Sequence, residues 1–105
     1  LVGSEMCIRD RWSTDDEHQA IVRIKAGSHS FRITAWTVDE PWQFKGRPPR
    51  LELKAGEQRE TAVVFRETLD GDLHLDVAID IDEFGAWKQH LWLQTRPDVQ
   101  PKNPQ

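Results

Sequence analysis

Apolar and polar side chains alternate with a period of two along most of this chain, and no stretch carries a helical stripe. Ala20, Val22, Ile24 and Ala26 alternate with Ile21, Arg23 and Lys25, the spacing of a strand that turns one face to a core. After a turn at Gly27-Ser28, Phe31, Ile33 and Ala35 alternate with Arg32, Thr34 and Trp36 in a second strand. Trp42 and Phe44 flank Gln43 in a short third strand, entered after Pro41, which fits only a strand start or an edge. Gly46-Arg47-Pro48-Pro49 breaks the chain, and Leu51 and Leu53 then alternate with Glu52 and Lys54 up to a turn at Ala55-Gly56-Glu57. From Thr61 to Phe65 both parities are apolar, which predicts a strand covered on both faces. The cleanest signal runs from Leu73 to Ile81. Leu73, Leu75, Val77, Ile79 and Ile81 point one way, and His74, Asp76, Ala78, Asp80 and Asp82 the other. A last strand runs from Trp87 to about Thr95.

Six or seven short strands separated by turn signals predict an antiparallel β-sandwich, immunoglobulin-like in the first instance, with a small barrel as the alternative. No length is left for the crossover helices that parallel strands need. The expected core is Val22, Ile24, Phe31, Ile33, Phe44, Leu51, Leu53, Val63, Phe65, Leu75, Val77, Ile79, Leu91 and Leu93, with Trp42 and Trp87 on inward positions. Centring the last turn on Glu83-Phe84-Gly85 makes Ile81 face Trp87, Val77 face Leu91 and Leu75 face Leu93. On the outer side Asp80 then faces Lys88 and Asp76 faces Trp92. Opposite charges across a strand pair contribute ~0.2–1 kcal/mol, so Asp80 and Lys88 would help hold this register.

The first eleven residues, Leu1 to Arg11, resemble the translation of a transposon-end sequencing adapter. On that resemblance residues 1–11 stand apart from the fold, 12–17 are a linker, 18–97 form the sandwich domain and 98–105 a disordered polar tail. Cys7 and Met6 are the only cysteine and methionine of the chain and both fall in that segment. The remainder therefore has no disulfide or thiolate to report a redox compartment. Any leader, anchor or upstream domain would lie outside the sequence.

At 105 residues the chain has room for one domain. Its 14 Lys+Arg against 18 Asp+Glu give a net charge of -4, the opposite of the basic stripe that marks a nucleic-acid binder. No apolar run approaches the roughly 20 residues of a membrane helix, so no direct membrane insertion is expected. Asp70, Asp72, Asp76, Asp80, Asp82 and Glu83 form an acidic stretch. Calcium needs its oxygens from one compact loop, whereas four residues of strand separate Asp76 from Asp80 by ~13 Å. A solvated strand face with an Asp-Gly turn is the expectation. His74 and His90 share the outward side of the last hairpin but fall four residues out of step in the register above. No thiolate accompanies them, which excludes type-1 copper. No nucleophile elbow, convergent acid pair or phosphate loop is present, so neither catalytic residues nor a cofactor are expected.

The compositional oddity is five tryptophans with no tyrosine. Trp36 and Trp92 fall on outward parities, where a pair of rings would make a sugar-stacking platform or a docking surface. The alternative is that both rings cap the sandwich ends or lie under an N-terminal part that would precede this sequence.

The run Arg47-Pro48-Pro49-Arg50-Leu51-Glu52-Leu53-Lys54-Ala55-Gly56-Glu57-Gln58-Arg59-Glu60-Thr61-Ala62-Val63-Val64-Phe65 resembles a motif of bacterial extracytoplasmic immunoglobulin-like domains. There a proline-led strand meets a Gly-Glu turn, with Gly56 supplying the turn and Glu57 a polar tip, and the two strands pair across it. With His29-Ser30-Phe31-Arg32-Ile33, the strand Leu73 to Ile81 and the ending Arg96-Pro97, residues 18 to 97 resemble the C-terminal immunoglobulin-like domain of FixG/CcoG-type proteins of cytochrome oxidase assembly. Pilus-chaperone-like and transthyretin-like domains share the Gly-Glu hairpin. The short first strand–turn and the aspartates from Asp76 to Glu83 depart from the pattern.

That resemblance implies a non-catalytic, periplasmic or otherwise extracytoplasmic accessory domain of a larger, membrane-anchored protein. It would dock a protein partner, or the rest of its parent chain, through strand edges and a surface that includes Trp36, Trp92, Asp76 and His90. Two other readings stay open: a carbohydrate-binding sandwich using the tryptophans, and a small metal-handling domain using His74, His90 and the acidic face.

Overall fold

The computed structural model describes residues 5–12, 18–66 and 71–95. Seven strands account for most of them: β1 (Glu5–Trp12), β2 (His18–Lys25), β3 (Phe31–Val38), β4 (Glu52–Leu53), β5 (Gln58–Val64), β6 (Gly71–Ile81) and β7 (Gly85–Thr95). One sheet has the order β1-β2-β5 and the other β4-β3-β6-β7, and every neighbouring pair is antiparallel. The two sheets pack face to face as an all-β sandwich, as the strand pattern predicts.

The core follows from which strands are central. β2 lies between two neighbours in its sheet, and Ala20, Val22 and Ile24 are fully buried. β6 lies between β3 and β7 in the other, and Leu73, Leu75 and Val77 are equally closed off. Each such aliphatic side chain contributes roughly 1.5–3 kcal/mol on full burial. Edge strands show the converse. Phe44, Leu51 and Leu93, expected in the core, are only half-buried and pack against it from the rim. Trp87 has the inward parity predicted for it, yet is 45% exposed, because β7 ends its sheet and its turn-proximal end is poorly covered. Along β5 and just past its end, Val63 and Phe65 are buried and Ala62 and Val64 half-buried, so this segment is closed on one face rather than on both.

Four features depart from the sequence reading. Residues 5–12 are a strand: β1 pairs with β2 from Glu5↔Lys25 to Trp12↔His18. Met6 and Ile8 are half-buried against the core, while Glu5, Cys7 and Arg9 are exposed. The origin of this segment is a separate matter from its period-two pattern, which suffices to add a strand to an open edge. Second, the Gly56 turn joins two sheets instead of closing a hairpin, because β4 pairs with β3 and β5 with β2. Third, the short strand expected around Trp42 and Phe44 is reduced to one bridge, Phe44↔Phe65. Trp42 enters from a turn in which its amide donates to Asp39 O (3.0 Å). It is buried, sits edge-on to Phe65, and donates its indole N–H to Asp72 O at 3.1 Å.

The fourth departure is a β-bulge. Phe31↔Ile81 and Ile33↔Ile79 pair as core positions, but the register between β3 and β6 slips after Ile33, so that Ala35 faces Ala78 and Trp36 faces Val77. An extra residue reverses the parity of everything after it. Trp36 and Val38 therefore turn toward the core and are partly buried against it.

Candidate functional site

The outer face of the β6–β7 hairpin gathers most of the residues of interest, and the turn decides how they meet. Ile81 pairs with Gly85 across a three-residue loop, Asp82-Glu83-Phe84, and pairing continues without a break to Gly71↔Thr95. The Phe84 amide donates to Ile81 O at 3.0 Å, with Glu83 at φ 76° and Gly85 at φ 82°. The turn thus centres on Glu83, one residue earlier than the sequence reading places it. Every pairing moves by two residues.

A shift of two preserves parity, which is why the core side survives: Leu75 still lies inward, but faces Leu91 instead of Leu93. The outward neighbours change. Asp80 faces Ala86 and Lys88 faces Ala78, so the expected Asp80–Lys88 pair is replaced by an ion pair from β3, Arg32 Nη2 to Asp80 Oδ2 at 3.1 Å. Asp76 faces His90 rather than Trp92, and His74 faces Trp92. The signal for this register was the glycine itself. A three-residue hairpin loop favours Gly in the left-handed region at its end, and Gly85 fits that place better than the middle of the turn.

In this register His74 and His90 are diagonal neighbours two residues out of step rather than four, which brings the two rings within reach of each other. His90 Nδ1 lies 2.7 Å from Asp76 Oδ1, and its Nε2 lies 3.1 Å from His74 Nδ1. The imidazoles are stacked with centroids 5.1 Å apart. The His90 and Asp76 side chains are 55% and 30% exposed. The three groups form one relay on a solvent-facing sheet surface. Carboxylate, imidazole and imidazole in that order suit a hydrogen-bond chain that fixes the proton of each ring. Among the described residues, no group of three or more His, Cys, Asp or Glu side chains is placed to share one metal ion.

Trp92 completes this face and is 54% exposed. Trp36, expected beside it, is elsewhere: the bulge turns it inward, and its indole N–H donates to Pro49 O at 2.7 Å. With Arg47, Pro48 and Arg50 it lines a groove of about 570 Å³ along the strand before β4. The surface grouped from the sequence thus keeps Trp92, Asp76 and His90, and loses Trp36. It gains His74, which shares their parity, and Phe84 (47% exposed), which stands edge-on to His29 at the turn.

The Gly56 turn forms a second polar centre. Gly56 has φ 80°, and the Glu57 amide donates to Lys54 O at 2.8 Å. Glu57 is more than a polar tip: its carboxylate accepts the Lys54 amide and Arg59 Nε, each at 2.9 Å. These two bonds, the Lys54 amide foremost, hold its pKa below the ordinary value. The turn is also tied to the one after β2, since the Gly56 amide donates to Gly27 O and the Ala26 amide to Glu57 O, both at 2.9 Å. Arg32, Glu52, Lys54 and Arg59 line an open groove of about 680 Å³ beside it.

Comparison with family models, with curated proteins and with solved structures finds no match for this chain. Among the described residues the chain is a seven-stranded antiparallel β-sandwich.

Proposed function

We propose that this chain is a non-catalytic, immunoglobulin-like interaction domain that binds an extended protein segment along β7. The observation that carries the reading is where the large apolar side chains are exposed: Phe84, Trp87 and Trp92 all lie on β7 or the turn that precedes it. β7 ends its sheet, and an edge strand offers a row of main-chain donors and acceptors to an incoming strand. Strand addition draws affinity from those bonds and selectivity from flanking side chains. Trp87 and Trp92 have opposite parity, so one ring flanks each face of the added strand. The order β1-β2-β5 over β4-β3-β6-β7 supports the immunoglobulin-like accessory reading, with the remainder of a larger parent chain or a separate protein as the partner.

Selection from a displayed random peptide library tests it. The expected result is enrichment of peptides with alternating apolar residues, which slow hydrogen exchange of the β7 amides and lose binding in Trp87→Ala and Trp92→Ala. Enriched peptides that leave β7 exchange unchanged would count against the reading. A second reading, carbohydrate binding, rests on Trp92 standing beside the hydrogen-bonding side chains of His74 and His90. It has one ring to stack on a sugar rather than the pair that the sequence suggested. Quenching of tryptophan fluorescence by oligosaccharides, abolished in Trp92→Ala, would move the assignment there.

A further inference from the structure

We infer that the outer face of the β6–β7 hairpin holds a divalent transition-metal ion of the imidazole-binding class, with His74 Nδ1 and His90 Nε2 as its protein ligands and Asp76 orienting His90. The two nitrogens stand 3.1 Å apart. Nitrogens bound at about 2.0–2.1 Å to one metal are about 3.3 Å apart in a tetrahedral site and about 2.9 Å apart at adjacent corners of a square-planar one. The observed spacing falls between these two, so a shared ion needs little change in separation, while each ring turns to aim its lone pair at the ion rather than at the other nitrogen.

The third group supplies what a metal-binding histidine usually has on its far nitrogen. Asp76 Oδ1, 2.7 Å from His90 Nδ1, accepts that N–H and leaves the lone pair of Nε2 directed at His74. A carboxylate in this position fixes the tautomer and raises ligand basicity. Without metal, the His74 Nδ1–H donates to that lone pair. Binding at His74 Nδ1 moves that ring's proton to Nε2, so the neutral imidazole changes tautomer and its proton count is unchanged. Two imidazoles without a protein carboxylate among the ligands select zinc, copper or nickel over calcium or magnesium, which want oxygen. The remaining coordination positions belong to water, since His90 is 55% exposed and no third ligand converges there among the described residues. This inference does not rest on strand addition at β7.

The test is equilibrium dialysis of the full chain against Zn(II). One ion per chain is expected, with loss of binding in His74→Ala and in His90→Ala. Asp76→Asn should weaken affinity by about 10- to 100-fold, the usual effect of removing such a partner. Cys7 is an exposed free thiol, and His29 lies elsewhere on the surface, so Cys7→Ser and His29→Ala should bind as the parent does. Binding that survives His74→Ala and His90→Ala, or that disappears with Cys7→Ser, overturns the assignment. So does failure of the parent chain to retain zinc. Unchanged affinity in Asp76→Asn removes the orienting role.

Discussion

Asp76 and His90 stand directly opposite each other across the last hairpin, with Oδ1 2.7 Å from Nδ1. This contact distinguishes the observed register from the one in which Asp76 meets Trp92, because it exists only if the turn centres on Glu83. Cross-strand pairs of this kind contribute about 0.2–1 kcal/mol. A double-mutant cycle with Asp76→Ala and His90→Ala, read by urea unfolding, should return a coupling in that range. Coupling between Asp76 and Trp92 instead, with none to His90, would restore the other register.

Trp36 and Trp92 look alike in the sequence and should behave differently. Trp36→Phe removes the indole N–H that donates to Pro49 O at 2.7 Å, and loss of a part-buried hydrogen bond costs about 0.5–1.5 kcal/mol. Trp92, 54% exposed, should tolerate Trp92→Phe within about ±0.5 kcal/mol, as surface substitutions usually do. Thermal unfolding of the two variants gives the comparison, and acrylamide quenching should lose an accessible component only in Trp92→Phe.

What was legible in the sequence and what was not follows from the same two tryptophans. Alternation reports the parity of a strand, so β6 and the inward residues of β2 could be read directly: Leu75 and Val22 are buried as expected. Alternation does not report an inserted residue. Nothing in Ile33-Thr34-Ala35 marks the bulge, because Thr and Ala are small enough for either parity, and Trp36 was misplaced for that reason. Pairing partners are a further step removed, since registers two residues apart bury the same side chains. The relay of Asp76, His90 and His74 depends on that register and was therefore hidden. The Gly56 motif shows a similar limit. A Gly-Glu turn specifies local backbone geometry, but whether the chain returns along the same sheet or crosses to the other is decided by long-range packing.

Glu57 provides a pH dependence with a definite sign. Its folded pKa is lowered from 4.5 by the Lys54 amide and then by Arg59. A carboxylate with a depressed folded pKa contributes stability above its unfolded pKa and loses that contribution as pH falls through the folded value. Unfolding midpoints should therefore drop more steeply on acidification from about pH 5 to about pH 3 in the parent chain than in Glu57→Gln. Parallel curves would mean that the two 2.9 Å contacts of Glu57 are not maintained in solution.

The edge strand β1 can be tested by removal. Met6 and Ile8 are half-buried against the core, and the eight residues of β1 cover one side of β2. Deleting residues 1–12 leaves β2-β5 as a two-stranded sheet and removes the strand that lies against β7. Losing about half the burial of two large apolar side chains costs roughly 1.5–3 kcal/mol. Among β2 amides, those that pair with β1 should exchange faster, while those that pair with β5 keep their protection. A shortened chain with unchanged unfolding midpoint and unchanged β2 exchange would show that β1 adds nothing to the sandwich. A shortened chain that recovers β2 protection only at high concentration would instead show a second molecule pairing on the vacated edge, the outcome that an exposed, unpaired strand invites.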